Sequence, residues 1–298
     1  MNVAFIGMGI MGSPMAIRLL SDGHSVVGFN RSPRKMESFV RAGGNAASSI
    51  RDAVVRADVA ITMLPDSPDV ENVALAPEGV LAHLRPGSLF IDMSTVSPNT
   101  ARRLADEGGA AGIAVLDAPV SGGEQGATEG TLSIMVGGDT DAFERARILF
   151  GTLGTTVVHV GPSGAGQIVK AANQMIVAGT IELVAEAMIF LNAWNVDRES
   201  ALRVLAGGLA GSKVLDRKAQ SMLTRTFEPG FRIDLHDKDL GIALSAAREA
   251  GVALPVGAVV AQLMGAAKAQ GMGELDHSAL LVTLENLSGM PPMGEPPA

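Results

Sequence analysis

A chain of 298 residues, of which 47% are hydrophobic and 18% are charged, has enough apolar side chains for a sizeable core, which excludes a wholly disordered protein. The formal net charge of −8 disfavours nucleic acid as a partner, because an acidic surface repels phosphates. The chain contains no cysteine and no tyrosine, which excludes disulfides, cysteine-bound metals, thiol nucleophiles and a tyrosine proton donor.

The first half of the sequence alternates short β-rich runs with amphipathic runs, such as those at 15–20 and 100–107. The β-rich runs lie at 2–6, 26–30, 59–64, 89–93, 115–117, 132–136 and 156–160. Such alternation is typical of parallel β-α-β units with helices on both faces of the sheet. We therefore predict an α/β Rossmann-type N-terminal domain over residues 1–162.

The pattern changes after Gly161-Pro162-Ser163-Gly164, and the sequence beyond this point is helical in character. Helices are predicted at 166–192, 198–206, 213–222, 238–250, 255–270 and 278–287. Residues 163–298 are therefore predicted to form an all-α C-terminal domain for substrate binding and oligomerisation. We expect the proline-rich end, 289–298, to fray.

The first predicted helix of this domain is apolar on nearly all sides, which favours burial between domains or subunits. Its polar residues Lys170, Asn173, Glu182 and Glu186 argue against a membrane span. We expect a cytoplasmic homodimer or homotetramer that has no membrane or nucleic-acid partner. The five histidines are scattered without the spacing of metal ligands, so no metal is expected.

A glycine motif, Gly7-x-Gly9-x-x-Gly12, follows the first β-rich run and opens a helix. Gly7 permits a tight turn, Gly9 lets the backbone approach a pyrophosphate, and Gly12 allows close packing of helix on strand. The motif predicts a dinucleotide-binding loop, with phosphates at the helix N-terminus. The alternative is a plain glycine-rich turn.

The end of the second strand bears on which dinucleotide binds. An acidic residue there would bind the ribose hydroxyls of NAD, but this strand ends in Asn30-Arg31. The forked guanidinium of Arg31 suits a 2′-phosphate, so we expect NADP(H) to be preferred, with NAD(H) possible. The alternative is that these residues form an ordinary solvated helix start.

Two later motifs are candidates for substrate chemistry. In the loop after the strand ending at Asp117, the Ser121 hydroxyl and the amides of Gly122 and Gly123 could hold a carboxylate, although a structural loop would have the same sequence. Lys170 and Asn173 share one face of a helix. Burial would lower the pKa of Lys170 toward neutral and let it give up a proton; the alternative is an amine that reaches solvent. His236 is another possible proton carrier, although a lone histidine is more often structural.

Taken together, these motifs resemble the β-hydroxyacid dehydrogenase family, which includes the 3-hydroxyisobutyrate and 6-phosphogluconate dehydrogenases. The resemblance covers nearly the whole chain and is carried by several ordered segments. They are Phe5-Ile-Gly-Met-Gly-Ile-Met-Gly12, Met63-Leu-Pro65, Asp92-Met-Ser-Thr95, Asp117-Ala-Pro-Val-Ser-Gly-Gly123, Gly130-Thr-Leu-Ser-Ile-Met-Val-Gly-Gly138 and Lys170-x-x-Asn173.

The resemblance implies a role for each matching position. Lys170 matches the catalytic lysine. The residues that match substrate-binding positions are Ser121, Gly122, Gly123 and Asn173. The residues that match cofactor-binding positions are Leu64, Pro65, Thr95 and Lys238. With them, the predicted cofactor site comprises the glycine-loop residues Gly7, Gly9, Ile10, Met11 and Gly12, and also Asn30 and Arg31, which depart from the acidic strand end of NAD-using members. Related imine reductases replace the catalytic lysine, so its retention as Lys170 favours carbonyl chemistry.

The resemblance also implies a substrate class. The segments Gly207–Ser212, Pro229–His236, Lys238–Leu240 and Asp276–Leu280 are similar to family members that reduce tartronate semialdehyde (2-hydroxy-3-oxopropanoate) to glycerate. The expected partner is a small aldehyde or hydroxy acid that bears a carboxylate. Oxidation of 3-hydroxyisobutyrate, reduction of glyoxylate or succinic semialdehyde, and a non-catalytic NADP-binding scaffold are the alternatives.

Overall fold

The computed structural model describes residues 1–292 and divides the chain into two compact units, Met1–Lys170 and Ala171–Ala298. The part of the predicted frayed end that follows residue 292 lies outside the described residues. We call the two parts the N-terminal unit and the C-terminal unit. The predicted boundary at residue 162 lies just before the helix Ala165–Ala193, and the two units divide inside that helix.

One mixed β-sheet forms the centre of the N-terminal unit. Its strands are β1 (Asn2–Ile6), β2 (Ser25–Phe29), β3 (Asn45–Ala46), β4 (Val59–Thr62), β5 (Leu89–Asp92), β6 (Ala114–Asp117), β7 (Val120–Ser121), β8 (Leu132–Gly138) and β9 (Gly154–Gly161). The order is β3-β2-β1-β4-β5-β6-β8-β7, with β9 paired to β8. The strands from β3 to β6 in this order are all parallel, which confirms the predicted β-α-β units for most of the sheet.

The prediction of parallel pairing is wrong at the far end of the sheet, where β8 runs antiparallel to both β6 and β7. Residues 122–131 connect β7 to β8, and this connection is shorter than the dozen or more residues that a parallel crossover needs. The chain therefore turns back on itself instead of crossing over. Strand β9 then pairs in parallel with β8.

Helices cover both faces of this sheet, as the alternating pattern predicted. They are α1 (Gly12–Ser21), α2 (Glu37–Arg41), α3 (Ile50–Val54), α4 (Ser67–Leu75), α5 (Val80–His83), α6 (Pro98–Ala110), α7 (Gly123–Glu129) and α8 (Thr140–Leu153). One buried cluster includes Met15 and Phe150, and a second, on other side chains of the same strands, includes Val70 and Leu104. Both clusters remove apolar side chains from water, which is the main stabilising contribution to such a fold.

The C-terminal unit is built from helices. They are α9 (Ala165–Ala193, which begins in the N-terminal unit), α10 (Arg198–Gly207), α11 (Lys213–Thr224), α12 (Ile233–Glu249), α13 (Pro255–Ala267) and α14 (Leu280–Leu287). Side chains from these helices share one core, which includes Ile181, Met188, Leu240, Met264 and Leu281. Helix α12 begins earlier than the predicted 238–250, so Lys238 lies inside a helix and not at its start.

Helix α9 is, among the residues the structure describes, the one helix long and apolar enough to cross a membrane by length and composition. Its buried side packs into the core of the C-terminal unit, and its other side exposes Ile176, Leu183 and Phe190. Glu182 is only 4% exposed, and its buried oxygens have no hydrogen-bond partner. Burial, with a smaller effect from Glu186, raises the pKa of Glu182 to about 7.

Candidate active site

The glycine loop after β1 has one packed side and one open side. Gly7 has a φ of +103°, a conformation that L-residues rarely adopt, and a Cβ there would collide with the carbonyl oxygen of Met63. A Cβ on Gly12 would collide with the carbonyl oxygen of Gly7. At Gly9, in contrast, no atom of the protein apart from Gly9 and its two chain neighbours lies within 4 Å of the position that a Cβ would take. The loop therefore fits the close approach of a dinucleotide phosphate on the Gly9 side.

Asn30, at the end of β2, fixes this loop. Its Oδ1 accepts a hydrogen bond from the Met8 amide at 3.0 Å, and its Nδ2 donates to the Ser32 carbonyl at 3.0 Å. Arg31 follows as an exposed side chain, as do Ile10 and, to a lesser extent, Met11 in the loop itself. The amide at position 30 thus holds the loop and the neighbouring guanidinium is presented to solvent.

Two further loops follow β4 and β5. They lie at the same edge of the sheet as the glycine loop, because the carboxyl ends of parallel strands lie together. The Leu64 amide donates to the Ser94 hydroxyl at 2.9 Å, which ties the loop containing Leu64 and Pro65 to the loop containing Thr95. Gln167 binds the second loop: its Oε1 accepts from the Val96 amide at 3.1 Å, and its Nε2 donates to the Ser94 carbonyl at 2.9 Å. The predicted cofactor residues of both loops are therefore held together.

Asp117 ends β6 and anchors the start of α9. It is 3% exposed, and its two carboxylate oxygens accept hydrogen bonds from the amides of Gly164 at 2.7 Å and Gln167 at 3.0 Å. A Cβ on Gly166 would lie 2.8 Å from an Asp117 carboxylate oxygen, so only glycine permits this approach. Burial raises the pKa of Asp117 to about 6, and the two amide donors oppose that rise.

Lys170 lies one helical turn beyond this anchor. It is 6% exposed, and its Nζ donates to the Val120 carbonyl at 2.7 Å, which excludes the alternative of an amine that reaches solvent. Ser121 follows Val120 directly and is half-buried. Gly122 and Gly123 both have positive φ, +146° and +66°, at the start of α7. The structure thus brings the buried amine to the backbone carbonyl directly before Ser121, Gly122 and Gly123, although the two segments are far apart in sequence.

In the C-terminal unit, the two predicted site residues are joined by a chain of polar contacts. The Asn173 Nδ2 donates to the Gln174 Oε1 at 2.8 Å, and the Gln174 Nε2 donates to the Asp239 Oδ2 at 2.6 Å. The Lys238 Nζ lies 2.9 Å from the other oxygen of Asp239. We call these four residues the Asp239 network.

His236 is a structural residue, not an exposed proton carrier. Its side chain is fully buried, with Nε2 3.1 Å from the Gln174 carbonyl and Nδ1 3.0 Å from Nδ1 of His277. Because a carbonyl only accepts hydrogen bonds, Nε2 carries a proton and donates it to Gln174. Burial is the main cause that lowers the pKa of His277 well below its usual value, and the neighbouring His236 lowers it further. Both rings therefore serve the core of the C-terminal unit.

Comparisons with protein families match both units. The family model described as the NAD binding domain of 6-phosphogluconate dehydrogenase matches residues 2–161. The model described as NAD-binding of NADP-dependent 3-hydroxyisobutyrate dehydrogenase matches residues 164–284. The chain belongs to the β-hydroxyacid dehydrogenase family.

Individual relatives in this family act on more than one substrate. The enzyme is 42% identical to the 2-hydroxy-3-oxopropionate reductase of Escherichia coli over 96% of this chain and 97% of the relative. It is 39% identical to the NAD-dependent L-serine dehydrogenase of Pseudomonas aeruginosa, over 94% of this chain and 96% of the relative. A structure of the Mycobacterium tuberculosis 3-hydroxyisobutyrate dehydrogenase with L-serine superposes with a TM-score of 0.85 at 36% identity, covering 95% of this chain and 98% of the other.

These findings define the class of reaction. The protein is an NAD(P)-dependent oxidoreductase that acts on CH–OH groups of β-hydroxyacids and uses a nicotinamide cofactor. Within residues 1–292, no group of three or more histidine or carboxylate side chains is placed to hold a metal ion.

The structure adds residues to which sequence reasoning assigned no role. In the sequence, Asp117 is only the first residue of the loop motif, and no local pattern predicts its hydrogen bonds with the amides of Gly164 and Gln167. Gln167 carries no sequence signal beyond its place in the glycine-rich start of α9. Asp239 directly follows Lys238, and this adjacency of opposite charges is a sequence signal for a local ion pair.

Proposed function

We propose that the enzyme reduces tartronate semialdehyde (2-hydroxy-3-oxopropanoate) to glycerate reversibly, with NADPH as the preferred reductant and Lys170 as the proton donor. The observation that carries the proposal is the buried Lys170 amine, bonded to the backbone directly before Ser121. The identity to a 2-hydroxy-3-oxopropionate reductase over nearly the full length supports the choice of substrate.

The loop that contains Ser121, Gly122 and Gly123 is proposed to bind the substrate carboxylate. The Ser121 hydroxyl and the amides of the two glycines are donors of the kind that recognise an anion in a concave turn. The positive φ of both glycines supports this role, because the backbone can present its amides there only in a conformation that glycine adopts easily. Asn173 is proposed to bind a substrate hydroxyl.

Lys170 is proposed to act on the carbonyl oxygen of the substrate. The bound nicotinamide supplies the hydride that reduces the aldehyde carbon. As negative charge develops on the aldehyde oxygen, the Lys170 ammonium stabilises that charge and then donates a proton to it. In the oxidative direction the neutral amine accepts the same proton. The Val120 carbonyl orients the amine in either state, since it accepts a hydrogen bond from both.

The glycine loop and the loops after β4 and β5 are proposed to bind the cofactor. The open side of Gly9 fits a pyrophosphate. Ile10 and Met11 belong to the same glycine loop, and Leu64, Pro65 and Thr95 belong to the two loops after β4 and β5. Lys238, from the C-terminal unit, is proposed as a further cofactor contact. The exposed guanidinium of Arg31, in the absence of an acidic residue at position 30, supports a preference for the 2′-phosphate of NADP.

A panel of substrates tests the proposed function. We expect kcat/KM for tartronate semialdehyde with NADPH to exceed the values for glyoxylate, succinic semialdehyde and, with NADP+, 3-hydroxyisobutyrate by about tenfold or more. The panel should include L-serine with NAD+, because one relative is an L-serine dehydrogenase. A higher kcat/KM for L-serine or 3-hydroxyisobutyrate would replace the proposed substrate with that one.

The cofactor preference is tested by Arg31→Ala. Loss of a charge-assisted contact to the 2′-phosphate is expected to raise the KM for NADPH by about 10- to 100-fold and to leave the KM for NADH nearly unchanged. Arg56→Ala, which removes another exposed guanidinium of the N-terminal unit, is the matched control and should change neither. Equal effects of Arg31→Ala on the two cofactors would refute a specific contact to the phosphate.

Oxidation of L-serine with NAD+ is the second candidate function. The observations that favour it are the 39% identity to an NAD-dependent L-serine dehydrogenase and the structural match to a relative bound to L-serine. Both substrates carry a carboxylate and a β-carbon bearing oxygen, so the same loop and lysine would serve either reaction. The two candidate reactions differ in the cofactor and in the group on the α-carbon of the substrate. The comparison of kcat/KM across the panel of substrates and cofactors distinguishes them.

A further inference from the structure

The centre of the Asp239 network, which is Asp239 with Gln174, is buried in the C-terminal unit, and its two ends, Asn173 and Lys238, are partly exposed. Asp239 is 2% exposed and Gln174 is 5% exposed, while the side chain of Lys238 is 17% exposed. Hydrogen bonds to a buried carboxylate are short and strong, and the 2.6 Å contact from Gln174 is of that kind. Asp239 is therefore the fixed centre from which two arms extend, one to Asn173 and one to Lys238.

The charge of Asp239 sets the direction of every hydrogen bond in the first arm. An ionised carboxylate can only accept, so Gln174 must turn its NH2 group toward Asp239 and its carbonyl toward Asn173. Asn173 must then turn its NH2 group toward Gln174 and keep its Oδ1 directed elsewhere. The arm thus presents Asn173 as a hydrogen-bond acceptor, which suits a ligand that donates a hydroxyl proton.

The second arm holds an ammonium group. The Asp239 carboxylate limits the positions that the flexible Lys238 side chain can take, because the ion pair keeps Nζ within 2.9 Å of a buried oxygen. A lysine that is held in this way loses less conformational entropy when it contacts a bound ligand. The same carboxylate therefore prepares both Asn173 and Lys238 for their ligands.

We propose that Asp239 and Gln174 are positioning residues, with Asp239 orienting Asn173 as an acceptor for a substrate hydroxyl and Lys238 as a cation toward the cofactor. This inference rests on the proposed roles of Asn173 and Lys238. It adds a specificity rule: substrates that offer a hydroxyl donor to Asn173 depend on Asp239, and substrates that lack one, such as succinic semialdehyde, do not depend on the first arm.

Asp239→Asn tests both arms with little change in volume. An asparagine can offer its NH2 group to Gln174 and reverse the first arm, so kcat/KM for tartronate semialdehyde should fall about tenfold. The dissociation constant of NADP+, measured by calorimetry without substrate, should rise about tenfold because Lys238 loses its ion pair. Asp237→Asn makes the same charge change at the neighbouring position, where the carboxylate pairs with Lys268, and should change neither quantity.

Gln174→Ala separates the two arms and also serves if Asp239→Asn fails to fold. It should lower kcat/KM for tartronate semialdehyde, leave kcat/KM for succinic semialdehyde within about twofold, and leave the dissociation constant of NADP+ unchanged. Equal losses for both semialdehydes would overturn the specificity rule, because a merely structural change would affect both substrates.

Double variants distinguish a positioning role from a structural one. In an Asn173→Ala background, Asp239→Asn should no longer change the ratio of kcat/KM for tartronate semialdehyde to kcat/KM for succinic semialdehyde. In a Lys238→Met background, Asp239→Asn should no longer change the dissociation constant of NADP+. Additive effects would overturn the inference and make Asp239 a structural residue. If Asn173→Ala or Lys238→Met has no effect by itself, the proposed role of that residue fails, and the corresponding arm fails with it.

Discussion

Substitution of Lys170 by alanine is expected to lower kcat for the reduction of tartronate semialdehyde by about 10²- to 10⁴-fold, the usual contribution of a positioned proton donor. Six lysines serve the whole chain, and tyrosine and cysteine are absent, so few other donors are available. The dissociation constant of NADPH should stay nearly the same, because the cofactor loops are built from other residues. Steady-state kinetics and calorimetry measure the two quantities.

The controls for this variant address its burial. Lys170→Met keeps most of the side-chain volume but removes the donor to the Val120 carbonyl, so it should lose activity to a similar extent. Lys213→Ala removes an exposed amine at the start of α11 and should retain full activity. A turnover near that of the unmodified enzyme in either Lys170 variant would remove the lysine from the mechanism.

Substitution of Asp117 by alanine is expected to lower the free energy of unfolding by about 2 to 4 kcal/mol, since it leaves two buried amides, those of Gly164 and Gln167, without their acceptor. The corresponding fall in Tm is about 5 to 15 °C, measurable by circular dichroism. Activity should fall as well, because the start of α9 positions Lys170. Asp139→Ala, which removes an exposed acceptor at the start of α8, should cost only about 1 kcal/mol and leave kcat unchanged.

The pH dependence of stability gives a second signature of Asp117. Its pKa is about 6 in the folded protein and 3.8 for an ordinary aspartate, so the folded state binds more protons between these values. The stabilisation from the neutral form is therefore complete below pH 3.8 and is lost as the pH rises through 6, by up to about 3 kcal/mol. Asp117→Asn cannot titrate. The stability of the unmodified enzyme relative to this variant should fall over that range, and a constant difference would contradict the shifted pKa.

The parts of the fold that sequence could predict are those that depend on local pattern. The alternation of β-rich and amphipathic runs located the parallel strands, and the glycine spacing located the turn at Gly7, where a positive φ and a neighbouring carbonyl exclude other residues. The sequence predicts helix α9 nearly to its ends, because residues 165–193 are mostly apolar and contain no proline. These features need no information about distant residues.

The features that were missed depend on contacts between distant positions. Asp117 binds amides 47 and 50 residues away, and the Gln174 side chain binds Asp239 across 65 residues. The residues around Lys170 were compatible with a buried or a solvated amine, and the Val120 carbonyl, 50 residues away, decides between them. The antiparallel direction of β8 follows from the short connection between β7 and β8. The sequence does not mark β7 as a strand, so the length of this connection could not be predicted. Polar networks of this kind have no periodicity, so single-sequence patterns do not indicate them.

The role of Lys170 is tested most directly by a crystal structure of the enzyme with NADP+ and glycerate. We predict that the Lys170 Nζ lies about 2.6 to 3.2 Å from the hydroxyl oxygen on the carbon that gives up hydride, with the glycerate carboxylate on the loop formed by Ser121, Gly122 and Gly123. A structure in which another side chain occupies that place and the lysine amine remains remote from the hydroxyl would contradict it.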